Sequence, residues 1–230
     1  RVGMDYPDND ALLESCYGLI RSKEPRFDLA EGRISEALRS DPSNSDAHLL
    51  KIELLDRQRA KAEDMTAAIE AAVALAPVPE VFHRAVGYWL SRRLRPKAIE
   101  MLEQGVLALP DDSRLRCRLA AMLIRQGRRP EGLDHLRIAM ELDPMLPDAY
   151  GLLGQARRME GKIDEAEPLL REAVRLAPGD AIQTGRLVDL LMAKARLDHD
   201  GAAALRTEAH DLLNTVLKSE SKESPEIQVL

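Results

Sequence analysis

Apolar and small residues recur along the chain with the 3.6-residue period of an amphipathic helix, in short blocks. In residues 147–180 the first block spaces them three or four apart, at Tyr150, Leu153 and Gly154. The second block does the same at Ala166, Leu169, Leu170, Ala173 and Val174. Gly161 lies between the blocks, where glycine readily adopts a positive φ, and Pro178 ends the second block. The pattern predicts two short helices joined by a turn.

This pattern returns about every 34 residues. Prolines that end helical blocks are separated by 35, 33, 34 and 34 residues, at Pro42, Pro77, Pro110, Pro144 and Pro178. Small residues keep the same interval at two places, namely Ala30, Ala98, Gly132 and Ala166, and Ala37, Gly105, Ala139 and Ala173. Ending each repeat two residues after its proline, or one residue after Pro77, defines five repeats of 34 residues, 11–44, 45–78, 79–112, 113–146 and 147–180. A fixed period of this length is typical of solenoid proteins.

These units resemble tetratricopeptide repeats over about residues 11–180. The best copy has the signature residues of that family at Tyr150, Leu153, Gly154, Gly161, Ala166, Leu170, Ala173 and Pro178. The chain departs from the family pattern at Arg157, where an aromatic residue is usual, and at Gly105 and Gly132, where alanine is usual. The second repeat also contains one extra residue before its second helix. The resemblance implies an all-α, right-handed α-solenoid of about five to six helix-turn-helix units.

Both ends of the chain depart from the repeat. Residues 181–217 are interpreted as a degenerate sixth repeat, with Leu187, Leu190 and Leu191 inward on its first helix. Its second helix turns Leu205, Ala209, Leu212 and Val216 inward. Ala209 follows the start of its repeat by 28 residues and Ala166 by 19, so nine residues are predicted to form an inserted loop. Residues 1–10 are expected to be a lead-in and residues 218–230 a disordered tail.

Composition and motifs argue against an enzyme. Apolar residues make up 45% of the chain and charged residues 31%, which is enough for an ordered core, and the net charge is −6. No phosphate-binding loop, nucleophile elbow or metal-ligand spacing is found, so neither catalysis nor a cofactor or metal is expected. Cys16 and Cys117 lack redox spacing and are interpreted as free buried thiols, with a disulfide as the alternative.

The resemblance also implies where a partner binds. In such proteins the first helices of the repeats line a concave groove, and the corresponding residues here are Leu12, Leu19, Leu49, Leu50, His83, Arg84, Arg114, Arg118, Arg125, Gln155, Arg158 and Arg186. The leucines suit apolar side chains of a peptide, and the arginines suit carboxylates or phosphates. The alternative is that these arginines form a solvated surface paired with neighbouring Asp and Glu residues. The Lys and Asn residues with which some family members clamp a C-terminal carboxylate are absent.

A second basic cluster lies on predicted turns, at Arg92, Arg93, Arg95, Lys97, Arg128 and Arg129. An acidic membrane or a nucleic acid is one interpretation of it. No aromatic residues are interleaved for stacking on bases, so a solubilising edge is the preferred interpretation. Tyr88 and Trp89 are predicted to lie in the core.

The sequence therefore predicts a non-catalytic scaffold that binds a peptide or helix of a partner protein, in the assembly of a larger complex. The alternative is a regulatory or targeting domain of a larger enzyme or of an envelope or secretion machine. Neither nucleic acid nor membrane is an expected partner, and the oligomeric state is left open. The 25 arginines against 8 lysines suggest a bacterial gene. Whether a signal or anchor precedes Arg1, and whether the compartment is cytoplasm or periplasm and envelope, is also left open.

Overall fold

The computed structural model describes residues 9–197 and 200–223, and this part of the chain contains twelve helices and no strand. The helices form two compact modules, which are called here the N-terminal module (up to Asp111) and the C-terminal module (from Asp112). Consecutive helices pair as the first and second helix of a repeat, as the hydrophobic period predicts. The predicted lead-in falls mostly on residues 1–8, which lie outside the described residues.

The N-terminal module contains three helical pairs. Their helices are α1 (Asn9–Arg21), α2 (Phe27–Ser40), α3 (Ser45–Arg57), α4 (Ala62–Leu75), α5 (Pro79–Ser91) and α6 (Arg95–Ala108). Each first helix contacts the next, α1 with α3 and α3 with α5, while α2 packs on α3 and α4 on α5. The first helices α1, α3 and α5 therefore form one continuous surface, the N-terminal first-helix surface.

The C-terminal module repeats this arrangement. Its helices are α7 (Ser113–Arg125), α8 (Arg129–Leu142), α9 (Pro147–Met159), α10 (Ile163–Leu176), α11 (Ala181–Leu197) and α12 (Ala202–Glu223). The contacts of α7 with α9 and of α9 with α11 make the C-terminal first-helix surface. No described helix is both long and apolar enough to span a lipid bilayer.

Local chemistry explains where the helices begin. The side chains of Asn44 and Asp112 accept hydrogen bonds from the third residues of α3 and α7, which satisfies backbone N–H groups that have no partner inside the helix. Prolines occupy the first turn of four other helices, where a missing N–H costs nothing, at Pro79, Pro96, Pro130 and Pro147.

Small residues set the distance between the two helices of a repeat. A Cβ atom added to Gly154 of α9 would lie 2.7 Å from Cγ of Leu170 and 3.2 Å from the carbonyl oxygen of Ala166 on α10. In the preceding repeat the glycine is on the second helix, where a Cβ on Gly132 would lie 2.9 Å from the carbonyl oxygen of Ala120. The close helix packing predicted from the recurring small residues is confirmed at these two crossings.

The last repeat differs from its prediction. The nine extra residues do not form a loop. Helix α11 has 17 residues, whereas the other first helices have 13. Helix α12 starts seven residues before Ala209, whereas α10 starts three residues before the corresponding Ala166. The connection between α11 and α12 is only residues 198–201, of which 198 and 199 lie outside the described residues. The insertion is thus absorbed as helix.

The end of α12 also differs from its prediction. The helix continues through Glu223, although the tail was expected to start at residue 218, and residues 224–230 lie outside the described part. The inward positions are as predicted, since Leu187, Leu190, Leu191 and Ala209 are buried together with Ala166 and Leu170. Cys16 and Cys117 are both free and buried.

Candidate partner-binding surfaces

An open cleft of about 560 Å³ lies on the N-terminal first-helix surface between α3 and α5. Helix α3 contributes Leu49, Ile52, Glu53 and Asp56, and α5 contributes Glu80, His83, Arg84, Gly87, Tyr88 and Ser91. Three of the predicted partner-binding residues, Leu49, His83 and Arg84, are therefore brought together. The floor is apolar and the rim is charged, which is the usual composition of a site for a peptide side chain.

Gly87 creates the room in this cleft. It lines the cleft, and a Cβ atom built on it would meet nothing within 4 Å. Any larger side chain at this position would project into the α3–α5 cleft without displacing the core. Gly87 occupies the same position in its repeat as Leu19 and Gln155, two of the predicted partner-binding residues, although Gly87 was not itself among those predicted.

A buried carboxylate holds three arginines beside the cleft, and this group is called here the Glu53 cluster (Arg21, Glu53, Arg57 and Arg84). Nε and Nη2 of Arg21 donate to the two carboxylate oxygens of Glu53 at 2.8 and 2.9 Å. Arg57 and Arg84 lie 3.7 and 3.8 Å from the same carboxylate. The Glu53 side chain is 9% exposed, whereas the three arginine side chains are about half exposed, at 52%, 46% and 46%.

The hydrogen bonds from Arg21 hold the pKa of Glu53 below its usual value, and the charges of the three guanidinium groups add to this against the opposing effect of burial. Glu53 is therefore ionised at neutral pH. Within the cluster one carboxylate faces three guanidinium groups, and Asp56 and Glu80 add two carboxylates to the lining of the cleft. Sequence reasoning placed Arg84 on this surface but did not identify Glu53 as the carboxylate that binds the arginines. The partners come from different repeats, and Arg21, for example, lies 32 residues from Glu53 in sequence.

The remaining predicted residues of this module are less accessible. Leu12 and Leu19 are half-buried, and Leu19 packs against the core that contains Cys16 and Leu54. Leu50 is only 1% exposed and belongs to that core. The prediction is therefore wrong for Leu50: its side chain is buried in a core formed by residues of α1, α2 and α3, so a partner on this surface does not reach it.

The C-terminal first-helix surface carries several arginines. Arg114 and Arg125 are exposed on α7, and Arg118 is half-buried on the same helix. Burial lowers the pKa of Arg118 from its usual value. Two further predicted residues, Gln155 and Arg158, are half-buried on α9.

A hydrogen-bonded chain connects α9 with α11 on this surface. Nε2 of Gln183 donates to Oδ1 of Asp148 at 2.7 Å, and Oε1 of Gln183 accepts from Nη1 of Arg186 at 2.7 Å. Gln183 is 1% exposed, so its amide is fixed between these two side chains. The sequence predicted Arg186 at this surface but missed Gln183, since glutamine has no signature that distinguishes a buried amide from a solvated one.

Cys117 on α7 lies near this chain but is not reactive. Burial, with a smaller effect of the charge on Asp148, raises the pKa of its thiol to about 12. The thiolate, which is the nucleophilic form, is therefore scarce at neutral pH. Cys117 is accordingly a core residue.

The second basic cluster is engaged in local contacts. The guanidinium of Arg92 lies 5.4 Å from the ring centre of Tyr88, and Nζ of Lys97 lies 4.5 Å from that of Trp89. Arg128 pairs with Glu131 at 2.6 Å. Tyr88 and Trp89 are buried, as predicted, and pack edge to face with their centres 4.9 Å apart. These contacts favour the solubilising interpretation of the cluster over a stacking surface for nucleic acid.

Known proteins with similar sequences and structures place the chain in a family. The sequence profile of the tetratricopeptide repeat matches residues 23–78 and 117–181, which together are more than half of the chain. Comparison with curated protein sequences gives no significant match.

Several solved structures share the fold at low sequence identity. The Pseudomonas aeruginosa protein PilF aligns over 95% of this chain and 97% of its own, with a TM-score of 0.62 and 16% identity. PilW, described as a type IV pilus biogenesis factor, aligns over 97% and 96%, with a TM-score of 0.57 and 14% identity. YrrB, described as a TPR protein with an unusual peptide-binding site, aligns over 76% and 90%, with a TM-score of 0.52 and 18% identity. With its paired helices and the profile matches in both modules, the chain belongs to the tetratricopeptide repeat family.

Proposed function

We propose that the protein is a non-catalytic interaction scaffold whose first-helix surfaces bind a peptide or helix of a partner protein, as part of the assembly of a larger complex. Proteins of this family serve in general as protein-interaction scaffolds, and YrrB shows by its description that the same fold can carry a peptide-binding site. The finer proposal concerns which residues of this chain do the binding: Leu49, His83 and Arg84 in the N-terminal module, and Arg114, Arg118, Arg125, Gln155, Arg158 and Arg186 in the C-terminal module.

The observation that carries this proposal is the α3–α5 cleft. It combines apolar lining residues with the guanidinium of Arg84, and Gly87 keeps it open. An apolar side chain of a peptide would enter the cleft, and a neighbouring carboxylate would pair with Arg84. Such a pairing suits Arg84, whose side chain is about half exposed and whose guanidinium can bind a carboxylate in a bidentate way.

The first experiment selects ligands without assuming their sequence. A library of random twelve-residue peptides displayed on phage is selected on the immobilised chain, and the affinities of the enriched peptides are measured by fluorescence polarisation. We expect enriched peptides that combine an apolar residue with Asp or Glu. Failure to enrich any peptide above the level found with an unrelated immobilised protein would contradict the proposed function.

The second experiment closes the cleft. Gly87→Leu should weaken binding of the enriched peptides at least about tenfold, because it removes the burial of one apolar side chain, worth roughly 1.5 kcal/mol or more. Gly32→Leu is the matched control: Gly32 lies on the second helix α2 and also has nothing within 4 Å of its Cβ position. Both changes replace a helical glycine by a better helix former, so neither should unfold the chain. Equal affinities for the two variants would reject the cleft as the binding site.

The third experiment reverses the charge of the arginines. Changing Arg84, Arg118 and Arg158 to Glu should abolish binding of the acidic peptides while thermal unfolding stays cooperative. The control replaces Arg39, Arg137 and Arg206, which are exposed on the second helices α2, α8 and α12. Undiminished binding by the first triple variant would show that these arginines are only a solvated surface.

A further inference from the structure

The position of Arg186 is fixed by a buried side chain rather than by solvent. Gln183, in the first turn of α11, uses both ends of its amide, one toward Asp148 and one toward Arg186. Because the amide is almost fully buried, neither bond is exchanged easily for a bond to water. The guanidinium of Arg186 is therefore held in one place on the C-terminal first-helix surface.

Gly151 of α9 provides the space in which this contact forms. A Cβ atom on Gly151 would lie 2.0 Å from Oε1 of Gln183 and 2.5 Å from Nη1 of Arg186. Both distances are far below van der Waals contact. Arg186 therefore reaches from α11 across the backbone of α9, at a position that only a glycine leaves open.

The charge of Arg186 is not neutralised by a direct ion pair. Among the described residues, no carboxylate lies within ion-pair distance of it, and Asp148 and Asp180 act on it only from farther away. Oδ1 of Asp148 accepts from Gln183, and Oδ1 of Asp180 accepts from the backbone N–H groups of Ile182 and Gln183 at 2.8 Å. Both nearby carboxylates are thus engaged by other donors.

Arg186 is also electrostatically unfavourable where it lies. Burial is the main cause that lowers its pKa, and the charge of Arg125 adds to it, whereas the charges of Asp148 and Asp180 act in the opposite direction. A partly dehydrated guanidinium without an ion pair is costly, and such groups concentrate at binding sites. A ligand anion would restore the missing partner and would also screen the repulsion between Arg125 and Arg186.

We propose that Arg186, positioned by Gln183 and Gly151 and assisted by Arg125, is a binding subsite for a carboxylate of the partner polypeptide. The proposal rests on the function proposed above, since it assigns one chemical group of the partner to the C-terminal module. A carboxylate fits better than a phosphate, because Asp148 and Asp180 lie near enough to repel a doubly charged anion more strongly. The planar guanidinium still has N–H groups with which to bind a carboxylate in a bidentate way.

The direct test uses small carboxylates and does not require a peptide ligand. The Nε–Hε signals of the chain, labelled with ¹⁵N-arginine, are followed by NMR, and the signal of Arg186 is assigned from its loss in Arg186→Lys. Acetyl-glutamate amide probes a side-chain carboxylate, acetyl-alanine probes a terminal carboxylate, and inorganic phosphate is the third ligand. Acetyl-glutamine amide is the uncharged control.

We expect a saturable shift of the Arg186 signal with one or both carboxylates, weaker binding of phosphate, and no shift with the control. Comparison of the two carboxylates shows which source the subsite prefers. The proposal is overturned if Arg186 does not respond, if phosphate binds more tightly, or if Arg196 and Arg206 respond equally.

Variants separate the charge from its positioning. Arg186→Gln should abolish the binding of the small carboxylates. Gln183→Met replaces the amide by a side chain of similar volume and leaves the charge of Arg186 unchanged, and it should weaken this binding about tenfold. Gln183→Met should also move the Arg186 signal toward those of the exposed arginines, a change that loss of stability alone would not cause. Arg196→Gln, an exposed arginine on the same helix, is the matched control. Wild-type binding by Arg186→Gln would reject the proposal.

The two proposals fail separately. If the peptide library enriches ligands but the Arg186 signal does not respond to carboxylates, the scaffold function stands and the subsite is rejected. If no peptide is enriched and Arg186 nevertheless binds carboxylates, the subsite is an anion site without the proposed partner, and its assignment to a polypeptide is rejected.

Discussion

At the crossing of the two helices of a repeat, one of the facing residues has almost no side chain. In the fifth repeat it is Gly154 on the first helix, and in the fourth repeat it is Gly132 on the second. In these two repeats either choice allows the helices to approach closely, so the glycine can lie on the first or on the second helix. Ala166 and Ala120, the residues opposite, are fully buried.

We therefore expect Ala166→Leu to be destabilising. Overpacking of a site without free space costs ~1–3 kcal/mol, which corresponds to a fall of several degrees in the melting temperature measured by circular dichroism. Ala204→Leu on the exposed side of α12 should leave the melting temperature nearly unchanged. An unchanged melt for Ala166→Leu would contradict this packing.

A second residue-scale feature is the left-handed residue in the turns of the second to fifth repeats. Positive φ angles recur every 34 residues, at Arg59 (51°), Arg93 (60°), Gly127 (90°) and Gly161 (77°). Glycine adopts this conformation without cost, whereas a residue with a Cβ atom is strained by roughly 1–2 kcal/mol. The second and third repeats therefore carry strain that the fourth and fifth avoid.

Exchanging these residues should have opposite effects. Arg93→Gly should raise the free energy of unfolding by about 0.5 kcal/mol, since relief of strain exceeds the greater flexibility of the unfolded chain. Gly127→Ala should lower it by about 1 kcal/mol; a Cβ there would meet nothing within 4 Å, so the cost is purely conformational. Urea denaturation measures both, and changes of the same sign would refute the explanation.

At the scale of helices, the Glu53 cluster joins three first helices. Arg21 comes from the end of α1, Glu53 and Arg57 from α3, and Arg84 from α5. The neutral form of Glu53 would lose most of these interactions, which is the physical cause of its lowered pKa. This cluster is therefore a pH-dependent link between consecutive repeats.

The pH dependence has a definite sign. Because the folded-state pKa of Glu53 lies below its ordinary value of 4.5, its stabilisation is complete above that pH and is lost as the pH falls through the folded-state pKa. Glu53→Gln should lower stability by about 2 kcal/mol at neutral pH and should flatten the decline in acid.

Fluorescence provides the readout for this prediction. Trp89, the single tryptophan of the sequence, is buried in α5 and reports unfolding of the N-terminal module. Glu36→Gln is the control, since Glu36 is exposed on α2. An acid decline that is equally steep in Glu53→Gln and in the wild type would exclude Glu53 as its source.

The terminal repeat shows how an insertion is accommodated at this scale. The lengthened α11 places Lys194 next to Glu167 at 2.5 Å, and α12 places Glu208 next to Arg171 at 2.5 Å. Both contacts return to α10. The added last turn of α11, which contains Lys194, therefore runs along the preceding repeat. The hydrogen bonds inside a helix satisfy backbone groups that a loop would leave to water.

At the scale of the molecule, charge is unevenly distributed. The chain has a net charge of −6, yet repeat 113–146 contains seven arginines and four acidic residues, whereas repeat 45–78 has four basic and six acidic residues. An acidic partner would therefore be attracted by the arginine-bearing surfaces, although the net charge of the whole chain is negative.

Binding of the selected acidic peptides should consequently depend on salt. Between 50 and 500 mM NaCl we expect the affinity to fall several-fold, because exposed charges more than a few ångströms apart are screened. The Gly87→Leu variant, which changes no charge, should keep this dependence at its lower affinity. An affinity independent of salt would indicate that binding is apolar throughout.

The order and pairing of the helices could be predicted from the sequence, because they follow from local periodicity, from prolines and from small residues 34 positions apart. The one extra residue of the second repeat could be predicted too: the turn between α3 and α4 contains residues 58–61, against 92–94 in the next repeat. The inserted loop was mispredicted because apolar spacing alone does not distinguish a longer helix from a loop between two helices.

The sequence by itself determined the repeat, the family and the arginine-rich composition of the predicted surface. Only the tertiary structure decided which of those residues are accessible and what holds them: Leu50 is in the core, Glu53 anchors Arg21 and Arg84, and Gln183 fixes Arg186 over Gly151. The physical reason is the range of the interactions. Helix formation depends on neighbours three and four residues apart, whereas burial and the pairing of charges depend on residues about one repeat apart, whose contact is set by how closely the helices pack.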